Sequence, residues 1–483
     1  MKTTVALATA LVVAGWCAAA QAQLVPAPPQ MSTPAGAPAA DLQTALGANP
    51  LQGSVPSGPA TPGLLRLSLS DAITRALKYN LGVINGEQDI QEARGARRQS
   101  LAGLLPNLST AITDTEQQTN LEAYGFPPLP GIPQIIGPFN AFDARVFLQQ
   151  PILDFPAINR AREQARKLSA ARDDYRNARD LVVLVAANLY LQTVAAQSRI
   201  DAALAERKTA QALDTLAVDL KTAGIAAGID VLRAHLQLQV QEQRLIMARN
   251  DFDKLKLQLG RAIGLPAAQA FTLTDKVPYA PLQPVSLDAA LTRAYASRGD
   301  YLAAEQRVAA AEAQRRAALS ERLPSVSVNA NIGDIGLTVS GARETFAVAG
   351  SVSVPLFTGG RIAGALMQAD ANLARQRAQL ANLRQQIGYD VRTALLDLTA
   401  AQAQLTVART AVALAGQELQ QARDRFSAGV ADNVEVIQAQ EAVATANENY
   451  ISSLYAHNMA KASLARALGI GEEAVESYLG GSR

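Results

Sequence analysis

The feature that most limits what this chain can become is that it repeats itself. Ser68-Leu69-Ser70-Asp71-Ala72-Ile73-Thr74-Arg75-Ala76 is echoed 218 residues later by Ser286-Leu287-Asp288-Ala289-Ala290-Leu291-Thr292-Arg293-Ala294. The same spacing carries Glu87-Gln88 to Glu305-Gln306, Arg97-Arg98 to Arg315-Arg316, and Leu105-Pro106 to Leu323-Pro324. A second register, 205 residues apart, pairs Ala223-Gly224-Ile225 with Ala428-Gly429-Val430, and Arg261-Ala262-Ile263-Gly264 with Arg466-Ala467-Leu468-Gly469. The fold is therefore one unit built twice.

Each unit reads as a helix, two strands, a very long helix, a short turn and a second helix. Asp71 and Asp288 stand where a helix N-terminus favours an acid. Pro106 and Pro324 end the first helices. The strands then alternate. Val326, Val328, Ala330 and Ile332 share one face, with Ser325, Ser327, Asn329 and Asn331 on the other. Phe346, Val348, Val352 and Val354 alternate in the same way, as do Phe142, Ala144, Val146 and Leu148 against Asp143, Arg145 and Gln149. Residues 108–122 are assigned as a strand by their place in the repeat.

Residues 157–222 and 361–427 contain no proline. At about 1.5 Å per residue each makes a rod of roughly 100 Å. The return helices, 229–263 and 434–468, are about half as long, and the first helices of each unit have about the missing length. In the second rod Val391, Leu398, Leu405, Val412, Leu419 and Phe426 recur every seven residues, with Ala394, Ala401, Ala408, Ala415 and Ala422 three positions after the first five. Its partner shows Val436, Val443, Tyr450, His457 and Leu464 in the same rhythm. This is a coiled-coil seam whose small residues permit close approach.

Ahead of the repeats, Lys2, the apolar run 5–16 and Ala20-Gln21-Ala22 form a secretory signal cleaved after Ala22. The competing reading, a lipoprotein signal at Cys17, meets Trp16 where a small residue is wanted. Residues 23–63, with nine prolines from Pro26 to Pro62, read as a disordered leader. The organisation is thus 1–22 signal, 23–63 leader, 64–266 first repeat, 267–284 linker, 285–470 second repeat and 471–483 tail. Formal net charge is +2, with no basic stripe, so nucleic acid is not a partner. Only His235 and His457 occur as histidines, and Cys17 is the single cysteine. No catalytic set, metal-ligand spacing or phosphate loop emerges, and no cofactor is implied. The chain reads as a non-enzyme.

Taken together, these features resemble the TolC-type outer-membrane efflux family over residues 67–470. The resemblance is most specific at the two hairpin tips. Arg425-Phe426-Ser427-Ala428-Gly429-Val430 with Val434-Glu435-Val436-Ile437-Gln438-Ala439-Gln440 is similar to the family's second tip, and Lys221-Thr222-Ala223-Gly224-Ile225 with Ile229-Asp230-Val231-Leu232 to its first. Val354-Pro355-Leu356-Phe357-Thr358-Gly359-Gly360 resembles the segment leaving the barrel for the long helix. The resemblance implies a mainly α homotrimer in the outer membrane. A coiled-coil helical barrel crosses the periplasm, and four β-strands per chain contribute to a 12-stranded β-barrel. It also implies a passive duct serving a periplasmic adaptor and an inner-membrane pump. Asp230, Phe426 and Glu435 fall at the implied periplasmic gate, and Gly224, Ile225, Gly429 and Val430 at the tip turns and adaptor contact. Ala431 and Gln438 depart from the pattern, which puts a tip salt-bridge lock in doubt. Independently, four strands are too few to close a membrane barrel, so the strands must be shared. The alternative from another class is a periplasmic coiled-coil adaptor with no pore, but that reading leaves the paired strands and the second hairpin unaccounted for.

Overall fold

A computed structural model describes residues 51–473, apart from 52, 57, 129, 276–281, 283 and 284. The signal segment 1–22 and the leader as far as residue 50 lie outside the described residues. Among the described residues the two halves lay down the same seven elements. The first half forms β1 (Leu65–Leu67), α1 (Leu69–Tyr79), α2 (Leu81–Ala102), β2 (Asn107–Asn120), β3 (Ile135–Leu153), α3 (Phe155–Thr222) and α4 (Gly228–Ala262). The second forms β4 (Phe271–Leu273), α5 (Leu287–Ser297), α6 (Gly299–Ser320), β5 (Ser325–Gly336), β6 (Arg343–Ser353), α7 (Arg361–Ser427) and α8 (Asn433–Ala467). The chain is mainly helical, with a smaller β portion.

The first helix of each half differs from expectation: it is two helices meeting at an elbow. At Asn80 the backbone is extended, with φ −72° and ψ 137°. The Asn80 side chain accepts from Gly82 N at 2.8 Å and so caps the next helix. Arg298, the repeat equivalent, is likewise extended. Its guanidinium donates to Asp300 at 2.7 Å and to Asp390 at 3.0 Å. No proline marks either break. Each elbow is wedged by the end of its own hairpin, at Gly264 (φ +74°) and Gly469 (φ +70°). A Cβ on Gly469 would lie 2.5 Å from Arg298 N, so the wedge admits only glycine.

Hydrogen bonds also reach the end of the leader and the linker. Val55 N donates to Tyr79 O at 2.9 Å, and Asn80 Nδ2 to Leu51 O at 2.7 Å. Leu51 and Val55 are therefore tied down: proline forbids helix but not isolated hydrogen bonds to a neighbour. Within the linker, β4 pairs in parallel with β1. The start of the tail is held as well, with Arg179 Nε donating to Glu472 at 2.8 Å.

The four longer strands form one antiparallel sheet in the order β2-β3-β5-β6. Its register aligns the alternating apolar positions into rows: Leu108 faces Leu148, Leu148 faces Ala330, and Ala330 faces Val348. A second row joins Val146, Ile332 and Phe346. One face is thus apolar across all four strands, and the other carries Asn329, Asn331, Arg145 and Asp143.

The core lies among the helices. α3 packs on α2 and α6 over one half of its length, and on α4 and α8 over the other; α7 packs on α6 and then α8. Each rod is therefore flanked by two shorter helices in succession. The main core joins Val182, Val183, Ala186 and Tyr190 of α3 to Leu259 and Ile263, Ile387 and Val391, and Leu464 and Leu468. Tyr190 Oη donates to Leu67 O at 3.1 Å and ties the β1–β4 ribbon to it. This apolar part of α3 is long and apolar enough to cross a membrane by composition, yet more than half of it is buried in the core. In the α7–α8 seam Ala394, Ala401, Ala408, Ala415 and Ala422 are all buried, as are Val436, Ala439, Ala446, Ala460, Leu464 and Ala467.

Candidate functional site

Both rods end in the same turn. Gly224 has φ +75° and Gly429 φ +72°. Ile225 N reaches back to Leu220 O at 2.9 Å, and Val430 N to Arg425 O at 3.1 Å. These are left-handed helix ends that satisfy the last carbonyls of the rods. They leave Ile225 65% and Val430 67% exposed.

The acids beyond the turns occupy equivalent repeat positions but are used differently. Asp230 accepts from Ala227 N at 3.3 Å, capping α4, and lies 3.5 Å from Arg233. In the second tip the cap is Asp432, whose Oδ1 accepts from Val434 N at 3.0 Å and Glu435 N at 3.4 Å. Glu435 is thereby released, and Arg425 donates to it with two bonds of 3.1 and 3.3 Å. This ion pair lies within one hairpin.

The two tips are joined. Asn433, fully buried, donates from Nδ2 to Asp230 O at 2.9 Å. Behind that bond Leu213, Ala217, Ala234, Ala422, Phe426, Val436 and Ala439 form a small core of their own. Phe426 is part of that core in the single chain. Only 4% of it is exposed, because its seam position points it between the hairpins. The structure thus brings Asp230, Glu435 and both glycine turns to one end, and withdraws Phe426 into packing.

Above the tips, Arg199 and Arg244 bridge helices by pairing with Glu448 and Glu441, both at 2.8 Å. The Arg199 guanidinium holds the Glu448 carboxyl below its usual range, whereas burial pushes Glu206, in the same cleft, upward. Sequence reasoning missed this network and the Arg298 elbow, because scattered charges carry no local pattern. His235 is exposed, its Nδ1 3.7 Å from Asp214. His457 is fully buried on α8.

A sequence model of the family described as "Outer membrane efflux protein" matches residues 72–265 and 290–470. The chain belongs to this family.

Relatives include the alkaline protease secretion protein AprF of Pseudomonas aeruginosa, 22% identical over 345 residues, which cover 70% of this chain and 71% of that one. The pyoverdine export outer membrane protein OpmQ of Pseudomonas putida is 25% identical over 235 residues, 48% of this chain and 50% of its own. Among solved structures, the outer membrane protein VceC of Vibrio cholerae superposes with a TM-score of 0.72 at 23% identity, over 84% of this chain and 97% of that one. The CmeC outer membrane channel of Campylobacter jejuni does so with 0.74 at 15% identity, over 92% and 94%. The protein is accordingly an outer-membrane efflux channel, with its helical portion extending into the periplasm. Its family is one of transport channels, not enzymes.

Proposed function

We propose that three chains close a 12-stranded barrel through the outer membrane and a helical tunnel beneath it, forming the passive exit duct of a tripartite efflux or type I export machine. The observation that carries this is the sheet. Its outer strands β2 and β6 each pair on one side only among the described residues, and its apolar face is bare. Phe346 is 77% exposed, Ile112 73%, Leu108 and Val348 69%. An open edge in hydrocarbon leaves backbone groups unsatisfied, and four strands cannot close on themselves. With 14, 19, 12 and 11 residues, all four strands are long enough to cross, since a tilted spanning strand needs about 9–11.

The helical end has matching edges. α4 exposes Ile229, Leu232, Leu236 and Ile246, and α7 exposes Leu396, Val407 and Leu414. Pairing β6 with the next chain's β2 brings these two stripes together. Threefold symmetry then gathers Asp230 and Glu435 near the axis as a ring of carboxylates, which attracts cations at the entrance. The exposed turns at Gly224, Ile225, Gly429 and Val430 present the contact for a periplasmic adaptor, and through it an inner-membrane pump. One relative is named for protease secretion and another for pyoverdine export, so the shared fold serves cargoes of very different size, and we assign cargo selection to the pump. Reconstitution in a planar bilayer tests the duct: discrete conductance steps support it, and a protein that inserts without conducting overturns it.

A further inference from the structure

The apolar face does not end where the strands end. Val354 follows Val352 at the strand's two-residue period and is 52% exposed. Beyond it Leu356 is 94% and Phe357 90% exposed, the barest large apolar side chains among the described residues. The other strand ends repeat the theme more weakly, with Leu105 at 60%, Ile152 at 61% and Leu323 at 45%. In water this surface is a liability; at a membrane boundary it is an anchor. Tryptophan, the usual boundary residue, occurs only at position 16.

The same four junctions are basic. Residues 98–106, 154–162, 316–324 and 354–363 hold Arg98, Arg160, Arg162, Arg316, Arg322 and Arg361, all exposed, against only Asp154 and Glu321. Both acids are engaged: Asp154 accepts from Ala157 N at 2.8 Å, and Glu321 from Arg361 at 2.5 Å. Arg98 and Arg316 gain from lying near helix C-termini. Arg361 does not, because it is the first residue of α7, where the helix field favours an acid. Neither α3 nor α7 has an acid in its first turn.

We propose that this collar binds the anionic headgroups of glycerophospholipids in the periplasmic leaflet. Leu356 and Phe357 dip toward the acyl chains, and the guanidinium groups meet phosphates, for which their planar fork is suited. The inference rests on the barrel reading, which places these junctions at that leaflet. Charge and position together select the partner: the collar is basic, it directly follows a membrane-crossing sheet, and anionic headgroups are the opposite charge at that depth.

The test reconstitutes the full chain into phosphatidylcholine vesicles carrying traces of spin-labelled phosphatidylglycerol or spin-labelled phosphatidylcholine, and measures the immobilised fraction of each. Wild type should hold the anionic lipid about three- to tenfold more strongly, falling toward equality in about 0.5 M salt. Arg160→Gln with Arg162→Gln and Arg322→Gln should abolish the preference, while Arg249→Gln with Arg409→Gln, far from the collar, should keep it. Should the triple variant fail to assemble, the salt dependence of wild type decides. Equal retention of both lipids by wild type overturns the collar. So does a preference that survives the triple variant, or arginine substitutions that change conductance but not lipid retention, since those arginines would then face the lumen. A chain that does not enter vesicles at all contradicts the barrel instead, which separates the two failures.

Discussion

Asp230 and Glu435 show how a repeat diverges at single residues. Asp230 serves as a cap, and Glu435, relieved by Asp432, faces Arg425 in an exposed pair of the kind worth about 0–1 kcal/mol. Asp230→Asn with Glu435→Gln should lower cation preference and weaken block by multivalent cations in single-channel recordings. Folding should cost about 0.3–1 kcal/mol per site. Unchanged selectivity with only that stability loss would leave the acids as helix-end residues. The glycines separate two other effects. Gly429→Ala incurs the left-handed penalty of about 1–2 kcal/mol with only an ordinary contact to Ile225 Cγ2 at 3.9 Å, whereas Gly469→Ala adds a backbone collision at Arg298 and should destabilise more in denaturant titration. Comparable losses would contradict the wedge. On α8, burial pushes His457 down to about 4, helped by the Lys461 charge, and Lys461 down to about 8. The unfolded state therefore binds more protons at His457 between its ordinary 6.5 and about 4, and that contribution to stability is lost as pH falls through this window. His457→Gln should show a smaller fall in melting temperature than wild type between those pH values. The tip residues were legible as positions, because glycine turns and repeated acids leave local marks. Phe426 carried two marks at once, a seam position and a tip position, and in the single chain it packs in the seam.

Among the elements, the rods were almost fully legible. Proline-free length and a seven-residue rhythm are properties of the chain itself, so the sequence limits of 361–427 and the observed Arg361–Ser427 coincide. The elbows were not legible, because Asn80 and Arg298 break their helices by binding distant partners, Ala262 O and Asp390. The β1–β4 ribbon was hidden for the same reason: two three-residue strands far apart carry no period. Two faces of α7 give contrasting predictions. Leu405 is 5% exposed in the seam, so Leu405→Ala should cost about 2–5 kcal/mol of folding stability. Leu414, 60% exposed, faces outward in the single chain. Leu414→Asp should leave helical circular dichroism intact while lowering the temperature at which trimers dissociate. An equal loss of folding from both substitutions would remove α7 from the interface between chains.

At the scale of the whole molecule, the single chain is incomplete in a consistent way. Among the described residues strand edges, helix edges and an apolar sheet face are all left open, and the proposed threefold closure would cover the edges while lipid covered the face. Duplication explains why the openings match, since each half brings two strands and one hairpin. The measurement that tests this most directly is light scattering on the detergent-extracted protein, with the detergent's share of the mass removed. Three chains per particle, and precipitation once detergent is withdrawn, is the predicted result. A monomer that stays in solution without detergent would contradict it.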